Sequence, residues 1–446
     1  METRARTNSK RGRTLSGIPF AAHRDDRAFG STVLSILVGA HSVGAGILGF
    51  FDTREARAIR LVCSELRDAV SAVPWTDLKT RIQGNVGGWR ASFPLATKAN
   101  ISVERRYPEL GYPMRHNSIA DADFMHFEGI HTLDMSFCSQ AGISNAAFVH
   151  LKGIHTLVMS QCAQAGITDA AFVHLKGIHT LFMSCCNQTG ITDAAFVHLK
   201  GIHTLDMSGC NQAGITDAAF VHLEGIHTLD VSGCTQAGIT DAAFVHLKGI
   251  HTLAMRVCEQ FTDSAFVHLK GVRKLDMSRC FQAGVTNAAF VHLKGIHTLV
   301  MSQCAQAGIT DAAFIHLKGI HTLDMYFCDQ VGITNAAFAH LKGIHKLGMT
   351  GCSQASITDA AFAHLKGLYS LDFSYCDQAG ITDAAFVHLK GIHTLGMVRC
   401  NQAGITDAAF VHLKGIHTLD MRLCKQAGIT RALRKRLRAT VSELYV

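Results

Sequence analysis

Histidine and cysteine are the residue types whose number and spacing in this chain could support chemistry. The chain has 446 residues, 27 histidines and 15 cysteines. Most histidines come in pairs of the form H-L-K-G-I-H, such as His150 with His155 and His174 with His179, and thirteen cysteines recur at one position of a repeated unit. Imidazoles and thiolates are the ligands that zinc prefers, and a thiolate is also a nucleophile. A ladder of metal sites and a reactive thiol are therefore the two chemistries to consider.

Neither chemistry fits the elements that carry these residues. The first histidine of each pair lies on the flank of a predicted helix and the second precedes a predicted strand, with no thiolate or carboxylate at ligand spacing. A thiol packed in a core has no base and no electropositive, exposed site. The sequence has no G-x-x-x-x-G-K-[ST] motif, and no G-x-G-x-x-G motif between a predicted strand and a predicted helix. We therefore predict a non-enzymatic protein with no catalytic residues, no metal and no cofactor.

The histidines still have one expected physical consequence. Their regular recurrence predicts a stack of imidazoles, and crowded imidazoles resist charging together. The stability of the protein is then expected to depend on pH, which melting curves at pH 7.5 and 5.5 would test.

A repeated unit of 24 residues explains these biases in composition. It reads GIHTLDMSGCNQAGITDAAFVHLK at 201–224 and occurs thirteen times. Its opening glycine is separated from the next by 24 residues, except for the step from Gly249 to Gly271, which is 22. Fixed self-similarity at this period is the signature of a solenoid.

Each unit has two halves with different periods. Around Leu205 and Met207, apolar and polar residues alternate, which is typical of a short half-buried strand. The run T-D-A-A-F-V-H-L-K predicts a helix capped by Thr216 or Asp217 and stopped by Gly225. Stacked copies would form a parallel sheet on the inside of a curve and short helices on the outside, an α/β solenoid. The predicted core of a unit is Ile202, Leu205, Met207, Cys210, Ile215, Phe220 and Leu223.

The run L-x-M-x-x-C-x-x-x-x-I-T-D-x-x-F-x-x-L resembles the leucine-rich repeat. Its cysteine followed by I-T-D looks like the cysteine-containing subclass that is common in F-box proteins. The resemblance covers about two thirds of the chain. It implies a leucine-rich-repeat solenoid that binds other proteins.

The segment 47–75 in front of the repeats is predicted to form an amphipathic helix through Ala56, Ile59, Leu66 and Val70. It resembles the F-box, a small helical module that docks onto the adaptor of a cullin–RING ubiquitin ligase. The resemblance assigns the adaptor contact to Ile47, Leu48, Phe50, Phe51, Ile59, Leu61, Val62, Leu66 and Trp75. The usual Leu-Pro-x-Glu element is absent, since the equivalent stretch is LVGAHSVGAG. A helical cap with no adaptor is therefore the alternative.

The sequence predicts five segments along the chain. We predict a disordered basic tail over 1–31, an F-box-like helical module over 32–76, a connector and N-terminal cap over 77–117, the repeat array over 118–428 and a C-terminal capping helix over 429–446. A capping strand is expected within 93–102. The uncharged stretch 32–51 is also long enough to span a membrane, a remote alternative.

Internal comparison of the thirteen copies predicts where a partner binds. The core letters hardly change, whereas two positions on the concave sheet face differ between copies: the residue between Leu and Met, and the residue before Cys. Solenoids bind partners on this face, and aromatic residues and arginines are preferred in binding hot spots. The predicted target-binding residues are Asp134, Phe137, Gln161, Phe182, Asp206, Asp230, Asp276, Arg279, Asp324, Phe327, Asp372, Tyr375, Arg399 and Asp420. Drift at unconstrained surface positions is the alternative.

These expectations lead to a functional hypothesis. The resemblances imply the substrate-recognition subunit of an SCF-type ligase, with a Skp-type adaptor and a cullin complex as partners and a protein as target. A protein-binding scaffold with no ligase link is the second hypothesis. No nucleic acid or membrane partner is expected. The many thiols favour a reducing compartment, the cytoplasm or the nucleus.

Overall fold

The computed structural model describes residues 51–61, 64–103 and 118–446. The predicted tail over 1–31, the adaptor residues Ile47, Leu48, Phe50 and Val62, and all but Phe51 of the 32–51 stretch lie outside these ranges. No helix in the described ranges is long and apolar enough to cross a membrane. Two compact units are present, one formed by residues up to Trp75 with Ser92–Leu95, and one by Thr76–Ala91 with Ala96–Val446.

Two helices form the described part of the first unit, where the sequence predicts one. Helix α1 spans Thr53–Ile59 and helix α2 spans Ser64–Ser71. Asp52 caps α1 by accepting from the backbone N–H groups of Arg54 and Glu55, and its own N–H donates to the Glu55 carboxylate. The N–H of Leu61 donates to the carbonyl of Ala58, so the last turn tightens and the first helix ends there.

The second unit is built on one parallel sheet of fifteen strands in sequence order. A third helix, α3, spans Val86–Ser92 before the sheet begins. The strands are β1 Lys98–Asn100, β2 Thr132–Asp134, β3 Thr156–Val158, β4 Thr180–Phe182, β5 Thr204–Asp206, β6 Thr228–Asp230, β7 Thr252–Ala254, β8 Lys274–Asp276, β9 Thr298–Val300, β10 Thr322–Asp324, β11 Lys346–Gly348, β12 Ser370–Asp372, β13 Thr394–Gly396, β14 Thr418–Asp420 and β15 Glu443–Tyr445. Each repeat supplies one rung, and equivalent residues pair in register, as Leu205 does with Leu229. Strand β1 is the predicted capping strand.

The return half of each repeat is a short α-helix that continues, in most copies, as one 3-10 turn. The α-helices are Asn145–Phe148, Asp169–Phe172, Asp193–Phe196, Asp217–Phe220, Asp263–Phe266, Asn287–Phe290, Asp311–Phe314, Asn335–Phe338, Asp359–Phe362 and Asp383–Phe386. The 3-10 helices are Asp121–Phe127, Val149–Leu151, Val173–Leu175, Val197–Leu199, Val221–Leu223, Asp241–Leu247, Val291–Leu293, Ile315–Leu317, Ala339–Leu341, Val387–Leu389 and Ala409–Leu413. Three residues per turn bring Phe220 and Leu223 to the same face, which buries both.

The predicted core is confirmed. Ile202, Leu205, Met207, Cys210, Ile215, Phe220 and Leu223 are each at most 2% exposed, as are most of their equivalents in other copies. The opening glycines end the helical turns as predicted. All thirteen have left-handed φ angles between 72° and 93°, which a residue with a Cβ adopts only at a cost.

Aspartate at the helix start has a role that the sequence does not reveal. Thr216 is the N-cap and accepts from the N–H of Ala218. The carboxylate of Asp193, one repeat earlier, accepts from both the N–H and the hydroxyl of Thr216, each at 2.7 Å. Each aspartate therefore joins its own helix to the cap of the next one.

A buried glutamine ladder was also missed by the sequence analysis. Gln236 is 8% exposed, and its Nε2 donates to the carbonyl of Cys210 at 3.0 Å. The same bond recurs from Gln330 to Cys304 at 2.6 Å. The ladder pairs a loop carbonyl that the sheet does not reach, and an unpaired buried carbonyl is costly.

The C-terminal segment differs from the single capping helix predicted over 429–446. A helix spans Arg431–Thr440 and buries Leu433 and Leu437, but the chain then turns and adds β15 beside β14. Leu444 therefore lies in a strand and pairs with Leu419. The register of the sheet continues through this last strand, which gives the edge of β14 a hydrogen-bonding partner.

Candidate functional site

The candidate binding surface is the sheet face, where three columns of side chains run across the strands. The aspartate column contains the residues between Leu and Met. The serine column lies two residues later, and the left-handed column is the residue directly before each cysteine. The first and third contain the predicted target-binding residues, whereas the serine column was not predicted.

Aspartates of the first column are half-buried and fixed by hydrogen bonds. The carboxylate of Asp276 accepts from the N–H of Ser278 at 3.0 Å and from its hydroxyl at 2.6 Å. Asp134 and Asp206 make the same two contacts within their own copies. In these three copies the serine holds the aspartate carboxylate on the sheet face.

Four copies replace the serine-column residue by a larger apolar, aromatic or basic one: Arg256, Tyr326, Val398 and Arg422. The guanidinium of Arg256 lies 3.4 Å from the carboxylate of Asp230 and 3.7 Å from that of Asp276. Arg422 contacts Asp420 at 2.6 Å. Arginines in this column therefore neutralise part of the aspartate column. A comparison of the copies at this position could have found them.

Tyr326 is a half-buried aromatic residue of the serine column. Burial raises the pKa of its phenol to about 12, with Asp324 and Asp372 adding to the effect. The pKa of Asp324 is also raised by burial, although the hydroxyl of Ser302 donates to its carboxylate at 2.5 Å. A Cβ on Gly348 would clash with the Tyr326 ring. The glycine therefore lets the ring lie over the neighbouring strand.

The left-handed column contains an unexpected backbone conformation. All thirteen residues have φ angles between 52° and 67°, yet only Gly209, Gly233 and Gly351 are glycines. The other ten carry side chains, several of them large and exposed, such as Phe327 at 47% and Tyr375 at 46%. Arg399 lies over the Tyr375 ring at 5.4 Å, and Arg279 donates to Gln303 at 2.7 Å. A left-handed residue with a Cβ costs roughly 1–2 kcal/mol relative to its ordinary conformation.

The second histidine of each pair forms the predicted stack. Six rings from His131 to His251 lie face to face at 4.4–4.5 Å. Arg273 interrupts the stack, which resumes at His297 and includes Tyr369. The Nδ1 of each stacked histidine except His345 lies near the hydroxyl of the next threonine, as at His227 with 3.1 Å.

Acidification is expected to destabilise the folded protein between pH 7.5 and 5.5. Burial lowers the pKa of His179, His227 and His345, and neighbouring cations in the stack or beside it lower it further. The unfolded chain then binds more protons than the folded one, so stability falls as the pH drops through about 6.5. Melting temperatures at the two pH values measure this.

A matched variant can assign that pH effect to the stack. Replacing His179 and His227 by tyrosine, the residue that the stack already holds at position 369, is expected to reduce the change in melting temperature. A change that is equally large in the variant would place its origin elsewhere.

Two of the helix-end histidines contact a glutamate of the preceding repeat. His150 contacts Glu128 at 2.7 Å and His246 contacts Glu224 at 3.3 Å. Within the described residues no group of three or more His, Cys, Asp or Glu side chains could hold a metal ion.

Cysteines of the repeats are buried hydrogen-bond donors. The thiol of Cys234 donates to the carbonyl of Met207 at 3.0 Å, and the contact recurs along the array. Burial raises the pKa of the Cys234 and Cys376 thiols to about 12 and that of Cys280 to about 11. At neutral pH these thiols are protonated and are therefore poor nucleophiles.

Thiol labelling should distinguish one cysteine from the rest. In a Cys63→Ser background, a maleimide at pH 7.5 is expected to modify the exposed Cys185 within minutes and the thirteen buried thiols only after unfolding. Mass spectrometry of the intact chain counts the adducts. The double variant with Cys185→Ser should take up none, and fast labelling of several thiols would contradict the buried ladder.

The structure places the described adaptor-contact residues in two environments. Leu66 and Trp75 are 4% and 3% exposed, and the Trp75 indole donates to the carbonyl of Val70 and packs against Phe93. These two side chains hold the first unit together and are not free to contact an adaptor, which corrects that part of the prediction. Leu61 is 76% exposed, and Phe51 and Ile59 are half-buried.

Comparison with solved structures identifies the fold. The Drosophila Toll–Spatzle complex, at 14% identity, aligns with a TM-score of 0.55 over 76% of this chain and 48% of that one. The TLR13–ssRNA13 complex gives 0.51 at 15% identity over 85% and 60%, and a leucine-rich-repeat protein of Leptospira interrogans gives 0.52 at 12% identity over 71% and 89%. The protein thus spans about half of the chain that it matches in the Toll–Spatzle complex. No protein-family model and no curated protein matches.

Proposed function

We propose that this leucine-rich-repeat solenoid is a non-enzymatic binding protein whose sheet face holds a protein target. The left-handed column carries the proposal. Glycine is free of strain at these positions and occupies three of them, yet ten copies keep side chains, including Phe327, Tyr375 and Arg399. When surface residues keep a strained backbone conformation that glycine would relieve, we infer that their side chains have a function.

The composition of the face supports a protein partner. Exposed aromatic rings and arginines contribute most of the binding energy in protein interfaces. Seven aspartates lie beside them, and only part of their charge is neutralised by Arg256 and Arg422. A target that presents basic and aromatic side chains is the best match. The comparison structures with Spatzle and with ssRNA13 are themselves complexes, which is consistent with a binding role.

The finer proposal is that the chain is the substrate-recognition subunit of an SCF-type ubiquitin ligase. Helices α1 and α2 carry the sequence that resembles the F-box. Leu61 lies between them with most of its side chain exposed, as a docking residue for a Skp-type adaptor would be.

Co-purification with a Skp-type adaptor and its cullin tests the finer proposal. The full-length protein should retain the adaptor under conditions in which an established F-box protein does. Leu61→Asp should abolish retention, whereas Leu95→Asp, at a 52% exposed leucine of the same unit, should not. No retention by the unmodified protein would contradict the ligase role.

A scaffold with no ligase link is the second candidate. The absence of the Leu-Pro-x-Glu element favours it, because that element contributes to the adaptor contact in F-box proteins. On this alternative the sheet face still binds its target while the adaptor is never retained.

A further inference from the structure

An apolar ridge runs along the helical side of the array. It consists of the first residue after each buried phenylalanine, with side chains between 47% and 58% exposed in eleven of the thirteen copies: Met125, Val149, Val173, Val197, Val221, Val245, Val267, Val291, Ile315, Val387 and Val411. Alanines occupy the other two copies, at positions 339 and 363. A soluble surface rarely exposes aliphatic side chains in so continuous a row.

A lysine column follows the ridge three residues later. Eleven copies carry an exposed lysine there: Lys152, Lys176, Lys200, Lys248, Lys270, Lys294, Lys318, Lys342, Lys366, Lys390 and Lys414. None of these lysines forms an ion pair with another residue of the described ranges. The two acidic members, Glu128 and Glu224, each contact a histidine of the next repeat. The column is therefore a row of cations without counter-charges.

From these two rows we propose, contrary to the expectation from the sequence that there is no membrane partner, that the helical side is a docking surface for an anionic lipid bilayer. Aliphatic side chains beside lysines are the combination that an interfacial surface needs, because the apolar row enters the headgroup boundary and the cations meet anionic lipids. The rows hardly vary between copies, whereas the sheet face does. A surface with uniform, repeated chemistry suits a partner that is itself uniform, such as a lipid headgroup layer.

Other partners of the helical side would contact only the apolar ridge or only the lysine column. A second copy packed ridge against ridge would cover the apolar row and leave the lysines without anionic partners. A soluble polyanion would use the lysines and leave the aliphatic ridge in water. The bilayer uses both rows and leaves the sheet face available for a target.

Vesicle co-sedimentation of the full-length protein tests the proposal. At 100 mM salt it should bind vesicles of phosphatidylcholine with 30% phosphatidylserine and not vesicles of phosphatidylcholine alone. Each lysine near an anionic surface contributes roughly a five-fold factor, so Lys294→Gln with Lys318→Gln and Lys342→Gln should weaken partitioning roughly a hundred-fold. Serine at Val245, Val267 and Val291 should weaken it roughly ten-fold through lost apolar burial.

A matched charge control separates the column from net charge. Gln at Lys274, Lys346 and Lys425 removes three exposed lysines that lie outside the column and should change partitioning less than three-fold. Circular dichroism should show each variant folded. Equal losses in the two lysine variants, no binding to the anionic vesicles, binding to neutral ones, or an unaffected valine variant would each overturn the proposal. So would tight binding to heparin or single-stranded DNA without binding to the vesicles.

Discussion

Replacing Asp311 by alanine is expected to lower the free energy of unfolding by about 2–4 kcal/mol. The Asp311 carboxylate accepts from the N–H and the hydroxyl of Thr334, both at 2.7 Å, and from the N–H of Ala337 at 3.1 Å. Alanine removes all three bonds and leaves the cap of the next helix without its acceptor. Because stability in a solenoid depends on contacts between neighbouring repeats, the loss affects the array on both sides. Urea unfolding followed by circular dichroism measures it.

Asparagine at the same position is the matched control. Asn287 occupies this place in another copy, where its Oδ1 accepts from the N–H of Thr310 and its Nδ2 donates to the Thr310 hydroxyl, both at 2.9 Å. Asp311→Asn should therefore cost about 1 kcal/mol or less. A loss with asparagine as large as that with alanine would show that charge, and not the hydrogen-bonded link between helices, stabilises this position.

Phe261→Ala should lower the free energy of unfolding by about 3–5 kcal/mol. This residue lies in the copy that is two residues short, where phenylalanine stands in place of isoleucine and is fully buried. Its ring packs against Phe244 at 4.6 Å between centroids, and its carbonyl accepts from Gln282. The larger ring fills space that the longer loop of other copies would occupy, so truncation leaves a cavity.

Two further substitutions serve as controls for the loss of stability in Phe261→Ala. Phe261→Ile restores the residue of the other copies and should cost about 1–2 kcal/mol, since isoleucine fills less of the space. Phe281→Ala, at a ring that is 51% exposed, should cost less than about 1 kcal/mol. If the three variants were equally stable, the ring would have no role in accommodating the shorter repeat.

The repeat period predicted most of the fold because every copy packs against its neighbours through the same core positions. Leu205 and Met207 alternate with polar residues, and Phe220 and Leu223 share a face, so strand, helical return and core follow from the period alone. The link from Asp193 to Thr216 joins residues 23 apart, and such a distance has no local pattern to mark it. The helix from Arg431 ends before Leu444 because pairing with β14 outweighs helical periodicity.

The site was predicted less completely. Variation between copies identified the aspartate column and the residue before each cysteine, but not the left-handed conformation, since Phe327 and Arg399 are unusual residues for it. The serine column was not predicted, because nine copies carry a small hydroxyl residue there and the position therefore varies little. The contacts of Arg256 and Tyr326 could not be predicted, because they are made with residues on adjacent strands.

The central claim is that strained side chains on the sheet face bind the target, and one comparison tests it most directly. Phe327→Gly, Tyr375→Gly and Arg399→Gly are combined in one chain, and proteins retained by it and by the unmodified chain from the same cell extract are quantified by mass spectrometry. We expect each substitution to change the stability of the fold by no more than about 1 kcal/mol, because relief of strain offsets the flexibility of glycine. The unmodified chain should retain a target that the glycine variant loses at least ten-fold. Equal retention by both chains, with both folded, would contradict the claim.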